Sequence, residues 1–268
     1  SLKPKKSVIV ETKSNPKECI LGANIDVALY SPEGKLLGEL SQEIKCKQII
    51  KKDGLQPAKL TNDKNFVYAS GEGFEYRLNK QTGNFDSMKV NGKELLVEPV
   101  KISAFRAATD NDKRMISYWA KLDSWQGENL NVQLSNVYDV SINNGTIIVD
   151  ASIGGISLMP FFKYKLKIRV FVSFALDGKV REDTVWLPRL GFEFALNKEN
   201  QAFKYFGMGP YENYVDSCHH VKQAWFESTA KNEYVNYVRP QEHGTHTRVR
   251  ELLVENKLRF SSEKCFEI

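Results

Sequence analysis

The stretch that decides the fold is FKYKLKIRVFVSF, residues 162–174. Phe162, Tyr164, Leu166, Ile168, Val170, Val172 and Phe174 occupy the even positions, and Lys163, Lys165, Lys167 and Arg169 alternate with them. A period of two places one set on each face of a pleated strand. At about 3.3 Å per residue the whole run predicts a strand of roughly 40 Å, long enough for a broad sandwich. The lysine row admits an anion groove, but the simpler reading is the solvated face of a half-buried strand whose charges discourage edge pairing.

The same alternation appears in Ala23, Ile25, Val27 and Leu29, after which Ser31–Gly34 supplies turn chemistry and Lys35-Leu36-Leu37 resumes the pattern, which predicts a hairpin. Thr82-Gly83, Asn91-Gly92, Asn144-Gly145 and Asp177-Gly178 are further turn candidates, because such pairs accept positive φ. Met115, Ile116, Trp119 and Leu122 recur at helical spacing behind the capping candidates Asp110 and Asn111, predicting one short helix over 112–124. The expected class is therefore all-β and mostly antiparallel. Polar residues 51–65 separate the first strand pair from the rest, and no repeat or low-complexity tract is visible.

Composition narrows the function. The chain has 268 residues with 41% hydrophobic and 26% charged, enough apolar matter for a packed core and too much for a disordered tail. Its net charge of +5 is spread along the chain, with no basic block carrying interleaved aromatics, so nucleic acid is not an expected partner. No window approaches the roughly 18 apolar residues of a membrane span, and no signal core follows the start, so no membrane partner is expected either. Cys19, Cys46, Cys218 and Cys265 never form the close pairs of zinc ribbons or redox motifs, which predicts free structural thiols. The compartment stays open: cytoplasmic, or periplasmic if a signal lies upstream.

Five segments carry more. They are residues 79–96 (NKQTGNFDSMKVNGKELL), 105–112 (FRAATDND), 187–192 (LPRLGF), 206–217 (FGMGPYENYVDS) and 237–250 (YVRPQEHGTHTRVR). In this order they resemble the C-terminal domain, or small chain, of family 2 β-galactosidases over about residues 62–268. The resemblance implies a super-sandwich like that of galactose mutarotases, preceded by an immunoglobulin-like β module over 1–57 whose length is short of a full sandwich, so that it is either incomplete or leans on its neighbour. It implies a fragment or small subunit of a β-galactosidase whose catalytic carboxylates lie on an absent barrel, since retaining hydrolysis needs two about 5 Å apart and no barrel pattern is present.

The implied partners are that barrel, the linking domains, a β-galactoside and further copies of the parent enzyme. No cofactor is expected in this chain, the Mg and Na ions often used by the resembling family being bound elsewhere. That family also uses a Trp nearer its C-terminus, so the domain is expected to be truncated at Ile268.

No residue here is expected to be catalytic. The residues expected at a substrate or interdomain surface are Arg106, Asp110, Asn111 and Asp112, with Glu212 and Asn213 of the glycine-flanked loop, and Glu242 and His243. For Glu212 and Asn213, capping backbone groups is the preferred role. The resembling family often has a glycine-containing mobile loop after the position of Asp112, where this chain reads KRMISYW. Asn232-Glu233 matches an acid/base pair only in composition. His243 and His246 would ligate a metal from one helical face, but on the strand expected here they point apart.

Trp119, Trp125, Trp186 and Trp225 could stack on sugar, although core packing comes first for so large a hydrophobe. Two rival classes remain, a mutarotase-like aldose epimerase using Glu242-His243 as acid and base, and a noncatalytic carbohydrate-binding module.

Overall fold

The computed structural model describes residues 6–11, 13, 21–44, 58–112, 132–155, 160–170, 173–180, 187–199, 201–255 and 257–268. Its described residues form antiparallel sheets, with helical backbone only at 110–112. Packing divides the chain into two units: unit 1 comprises Ser1–Lys51, Ala202–Val235 and Gly244–Ile268, and unit 2 comprises Lys52–Gln201 and Asn236–His243.

Unit 2 is a sandwich. One sheet runs in the order β13 (Gly191–Leu196), β8 (Leu96–Ser103), β6 (Asn84–Val90), β5 (Phe74–Asn79), β4 (Phe66–Gly71), β3 (Lys59–Asn62), with the short β7 (Lys93–Glu94) also on β6. The other runs β12 (Ser173–Val180), β11 (Pro160–Arg169), β10 (Thr146–Gly154), β9 (Leu134–Asn143). Their inner faces meet in one core, where Val67, Leu78, Phe85 and Ile102 of the first sheet join Ile147, Val149, Leu166 and Ile168 of the second. Burying such side chains contributes about 1.5–3 kcal/mol each.

Phe162, Tyr164, Leu166, Ile168 and Val170 are buried and the basic residues between them exposed, as period two requires. The strand is shorter than expected. β11 stops at Arg169, and the chain returns as β12, pairing Phe174 with Ile168. Asp177-Gly178 is correspondingly not a turn but lies inside β12, opposite Lys165 and Tyr164. Glycine is required there by contact rather than by φ: a Cβ on Gly178 would stand 2.4 Å from Phe162 Cζ.

The other dipeptides make turns. Asn91 and Gly92 have φ of 49° and 76°, Asn144 and Gly145 46° and 70°, which are the two positive values of a two-residue hairpin. β9 carries a bulge: Val140 opposes Val149 and Val137 opposes Ala151, leaving Tyr138 as the extra residue. The bulge keeps Val137, Val140 and Ile142 facing the core although their spacing is not uniformly two.

Unit 1 holds the sheet β15 (Lys222–Thr229), β14 (Ala202–Gly209), β16 (Val249–Val254), β17 (Leu258–Phe266) and the hairpin of β1 (Ala23–Tyr30) and β2 (Leu36–Ile44). The hairpin forms as expected and is tied to that sheet. Asn24 donates to the Gln223 carbonyl at 2.7 Å, Lys222 meets Glu39 at 2.8 Å, and Arg250 donates to the Leu21 carbonyl and to Glu43. Cys218 and Cys265 are free thiols, while Cys19 and Cys46 lie outside the described residues.

Candidate functional site: a motif cluster and a braced loop

Thr109 begins the first site. Its hydroxyl accepts the Asp112 N–H at 3.2 Å, and the Asp112 carboxylate accepts the Thr109 N–H at 2.8 Å. This reciprocal pair is a capping box, so Thr109 caps the helical residues 110–112 in place of the expected Asp110 or Asn111. Three residues separate the partners, the distance a short side chain spans across one turn. Residues 113–124 of the expected helix, including the KRMISYW segment, lie outside the described residues.

Arg106 approaches the same carboxylate in two places, Nη1 to Oδ2 at 2.5 Å and Nη2 to Oδ1 at 3.4 Å, with side chains 21% and 16% exposed. Partial burial pushes the Asp112 carboxyl pKa up, but the hydrogen bonds from Arg106 and Thr109 outweigh it, and the net direction is down. Asp112 is thus held ionised and is unsuited to act as a general acid, which needs a raised pKa.

Two distant segments of unit 2 close on this loop. Glu242 Oε2 accepts the Ala107 N–H at 3.0 Å, its Oε1 lies 3.7 Å from Arg189 Nη1, and Gln241 Oε1 accepts the Asp110 N–H at 2.9 Å. The segments 105–112, 187–192 and 237–243 therefore meet, although more than 130 residues separate Ala107 from Glu242 (|i−j| = 135). Asp110 and Asn111 are exposed at the edge of this network and His243 is half-buried. Thr109, Arg189 and Gln241 were not singled out from the sequence, and their only signal was membership of the quoted segments.

The second site is in unit 1. Asn213 is fully buried, and its amide donates to the Met208 and Tyr211 carbonyls at 3.0 Å each. Its Oδ1 accepts from the Thr247 N–H at 3.0 Å and the Thr247 hydroxyl at 2.5 Å, so every site on the side chain is used. Glu212 Oε2 accepts the Gly244 N–H at 2.8 Å. The loop thus satisfies the backbone of 244–247, which is irregular rather than the strand expected; β16 begins only at Val249.

Within that segment His246 is fully buried between Tyr205 and Glu233, with Nδ1 2.9 Å from the Tyr205 hydroxyl and Nε2 2.8 Å from Glu233 Oε2. Burial, and then the Glu233 charge, raises the Tyr205 pKa, which keeps the phenol protonated. The Glu233 carboxylate can only accept, so Nε2–H donates to it, while Nδ1 shares its hydrogen bond with the phenol. Both ring nitrogens are taken, so His246 offers none to a metal or a sugar. Sequence reading assigned Glu233 no partner; the link is tertiary and has no local signature.

Among the described residues no three His, Cys, Asp or Glu side chains gather as a metal site requires. Trp225 is 38% exposed on β15, with Lys204 Nζ 5.5 Å from its ring centroid. Trp119, Trp125 and Trp186 lie outside the described residues.

Both sites lie within a region that matches a known family. A family model described as the beta galactosidase small chain matches residues 70–266. The β-galactosidase of Actinobacillus pleuropneumoniae is 30% identical over 191 residues, covering 68% of this chain and 18% of that protein. That of Kluyveromyces lactis is 28% identical over 262 residues, covering 92% and 25%, and that of Streptococcus thermophilus 28% over 209, covering 74% and 20%. The chain thus spans a quarter or less of the length of each of these relatives (18%, 25% and 20%).

Proposed function

The chain belongs to the β-galactosidase small-chain family, and on that premise we propose that it serves as the noncatalytic β-sandwich part of an enzyme that hydrolyses β-galactosides. The catalytic barrel and linking domains are supplied by the larger remainder. The observation that carries the reading is the convergence of the three motif segments on the Arg106–Asp112 and Glu242–Arg189 pairs. A retaining glycosidase needs one carboxylate free to attack and one free to protonate, about 5–5.5 Å apart. Asp112 and Glu242 are instead bound by arginines and backbone N–H groups, an arrangement that fixes a loop and presents Asp110 and Asn111 at its outer edge. The epimerase reading, which needs Glu242 with His243 as acid and base, is not favoured by a Glu242 carboxylate that accepts the Ala107 N–H and lies 3.7 Å from Arg189.

The test is hydrolysis of a chromogenic β-galactoside. The chain alone should show no turnover above a mock purification, and activity should require the remainder of the parent enzyme. Turnover by the chain alone overturns the reading. Accelerated mutarotation of galactose by the chain, followed in a polarimeter, would replace it with the epimerase.

A further inference from the structure

We propose that Tyr211, Val215 and Tyr234 of unit 1 form a second docking surface, built of residues other than the Arg106 cluster. It takes an apolar patch on the larger remainder of the β-galactosidase. The proposal rests on the functional reading above and deepens it by naming where the remainder is held.

The three side chains are 68%, 83% and 65% exposed. Scattered exposed apolar residues are ordinary on any surface. These differ in what lies beneath them. Tyr211 precedes Glu212 and Asn213, the first bound to the Gly244 N–H and the second buried with all its hydrogen-bonding capacity used. Val215 stands in the turn closed by the reciprocal Tyr214 and Ser217 backbone bonds at 3.1 and 2.9 Å, and its carbonyl faces Cys218 Sγ at 3.9 Å. Tyr234 follows Glu233, which is locked to the buried His246.

The two loops meet at Gly244, where φ is +76° and a Cβ would stand 2.9 Å from the Glu233 carbonyl oxygen. Glycine is needed there because Glu212 holds its N–H while Glu233 crowds the place of its side chain. Tyr211 and Tyr234 are thus each next to a glutamate bound at a fixed point, Glu212 at the Gly244 N–H and Glu233 at the buried His246, and Val215 sits in a backbone-closed turn.

That mounting is what a binding surface needs. Ordering loops at the moment of association weakens binding, and loops already fixed in the free protein avoid that loss. Tyrosine adds a large apolar face at low conformational entropy, and it is enriched among residues that dominate interfaces. The remainder of the enzyme is the occupant because the loops fall inside the matched region 70–266, while this chain covers only 18% and 25% of two relatives. Most of such a protein lies outside these residues, and a surface rigid, apolar and inside the family region is where it would be held.

The experiment uses the full chain and the remainder of the parent enzyme produced as a separate polypeptide. Association is read by titration, and recovered β-galactosidase activity is read alongside. Tyr211→Ala with Tyr234→Ala should weaken association at least tenfold with an unchanged thermal midpoint of the chain, whereas Tyr211→Phe with Tyr234→Phe should retain most of it. Should the double alanine variant unfold, Val215→Asp in the otherwise intact loop gives the same reading. If the wild-type chain associates and all variants associate equally well, this surface is overturned and the functional reading stands. A wild-type chain that neither associates nor restores activity overturns both. Variants that instead change the chain's own oligomeric state assign the surface to a second copy and overturn the proposal.

Discussion

Arg106 and Asp112 illustrate what a single pair contributes. Their side chains are 21% and 16% exposed, between the surface pairs that contribute under about 1 kcal/mol and buried pairs whose breakage costs about 3–5 kcal/mol. Arg106→Ala should therefore destabilise the chain by about 1–3 kcal/mol in urea unfolding, because Asp112 keeps its partial burial and loses its strongest partner. Lys165→Ala is the control. Lys165 lies 3.4 Å from Asp150 with side chains 60% and 39% exposed, and its loss should stay within about 0.5 kcal/mol. Equal effects would leave Arg106 with no structural role.

The pH dependence follows from the same pair. The Asp112 pKa is lowered from 3.8, so the unfolded state binds the proton more readily than the folded one. The stabilisation is complete above the unfolded value and is lost as pH falls below about 4 through the folded value. Thermal midpoints of wild type and Asp112→Asn should converge below that point and separate above it. The presence of a polar cluster at 105–112 was legible in the sequence; its cap was not, because Thr109, Asp110 and Asn111 are all good caps and only the three-residue reciprocity selects Thr109.

At the scale of elements, alternation identified the faces of β11 correctly but could not locate its end. Apolar residues continue at even positions past Arg169, and β12 too turns apolar residues, Leu176 and Val180, toward the core, so the alternation carries over from one strand to the next without interruption. Asp177-Gly178 misled for a related reason. Its glycine serves a close approach, not a turn. Gly178→Val would place a Cβ 2.4 Å from Phe162 Cζ and 3.0 Å from the Lys163 carbonyl oxygen, forcing the ring or the strand to move.

A cost of about 1–3 kcal/mol is expected, together with lost hydrogen-exchange protection across β11 and β12. Gly38→Ala in β2 meets nothing within 4 Å and should be close to neutral or slightly stabilising. If the two substitutions are equally harmless, Phe162 does not occupy the space above Gly178 in solution.

At the scale of the whole chain, the sequence separated residues 1–57 from 62–268 on a polar stretch, while packing joins Ser1–Lys51 with Ala202–Val235 and Gly244–Ile268 in unit 1. Periodicity reports which face of an element is apolar. It is silent on which element, some 200 residues away, receives a polar contact. Asn24 with Gln223, Glu39 with Lys222, and Leu21 and Glu43 with Arg250 span that distance with hydrogen bonds and charges that no local pattern announces.

Deleting residues 1–57 distinguishes a self-sufficient module from one that completes the β14–β17 sheet. Arg250 is the deciding residue, since its side chain is 12% exposed and both of its acceptors lie in the deleted segment. Deletion removes both acceptors of the guanidinium and, with Leu21, Gly22 and Glu43, part of its cover; the loss is about 3–5 kcal/mol if the group stays enclosed and under about 1 kcal/mol where water replaces the hairpin. The deleted chain should therefore show weakened hydrogen-exchange protection in β15 and β16 and altered emission from Trp225, whereas the β4–β6 and β10–β11 core of unit 2 keeps its protection. Deletion together with Arg250→Met, which removes the stranded charge and keeps apolar bulk, should restore part of the loss. If the deletion alone leaves protection in β15 and β16 unchanged, the hairpin contributes nothing to the sheet, and the module and the sandwich fold independently.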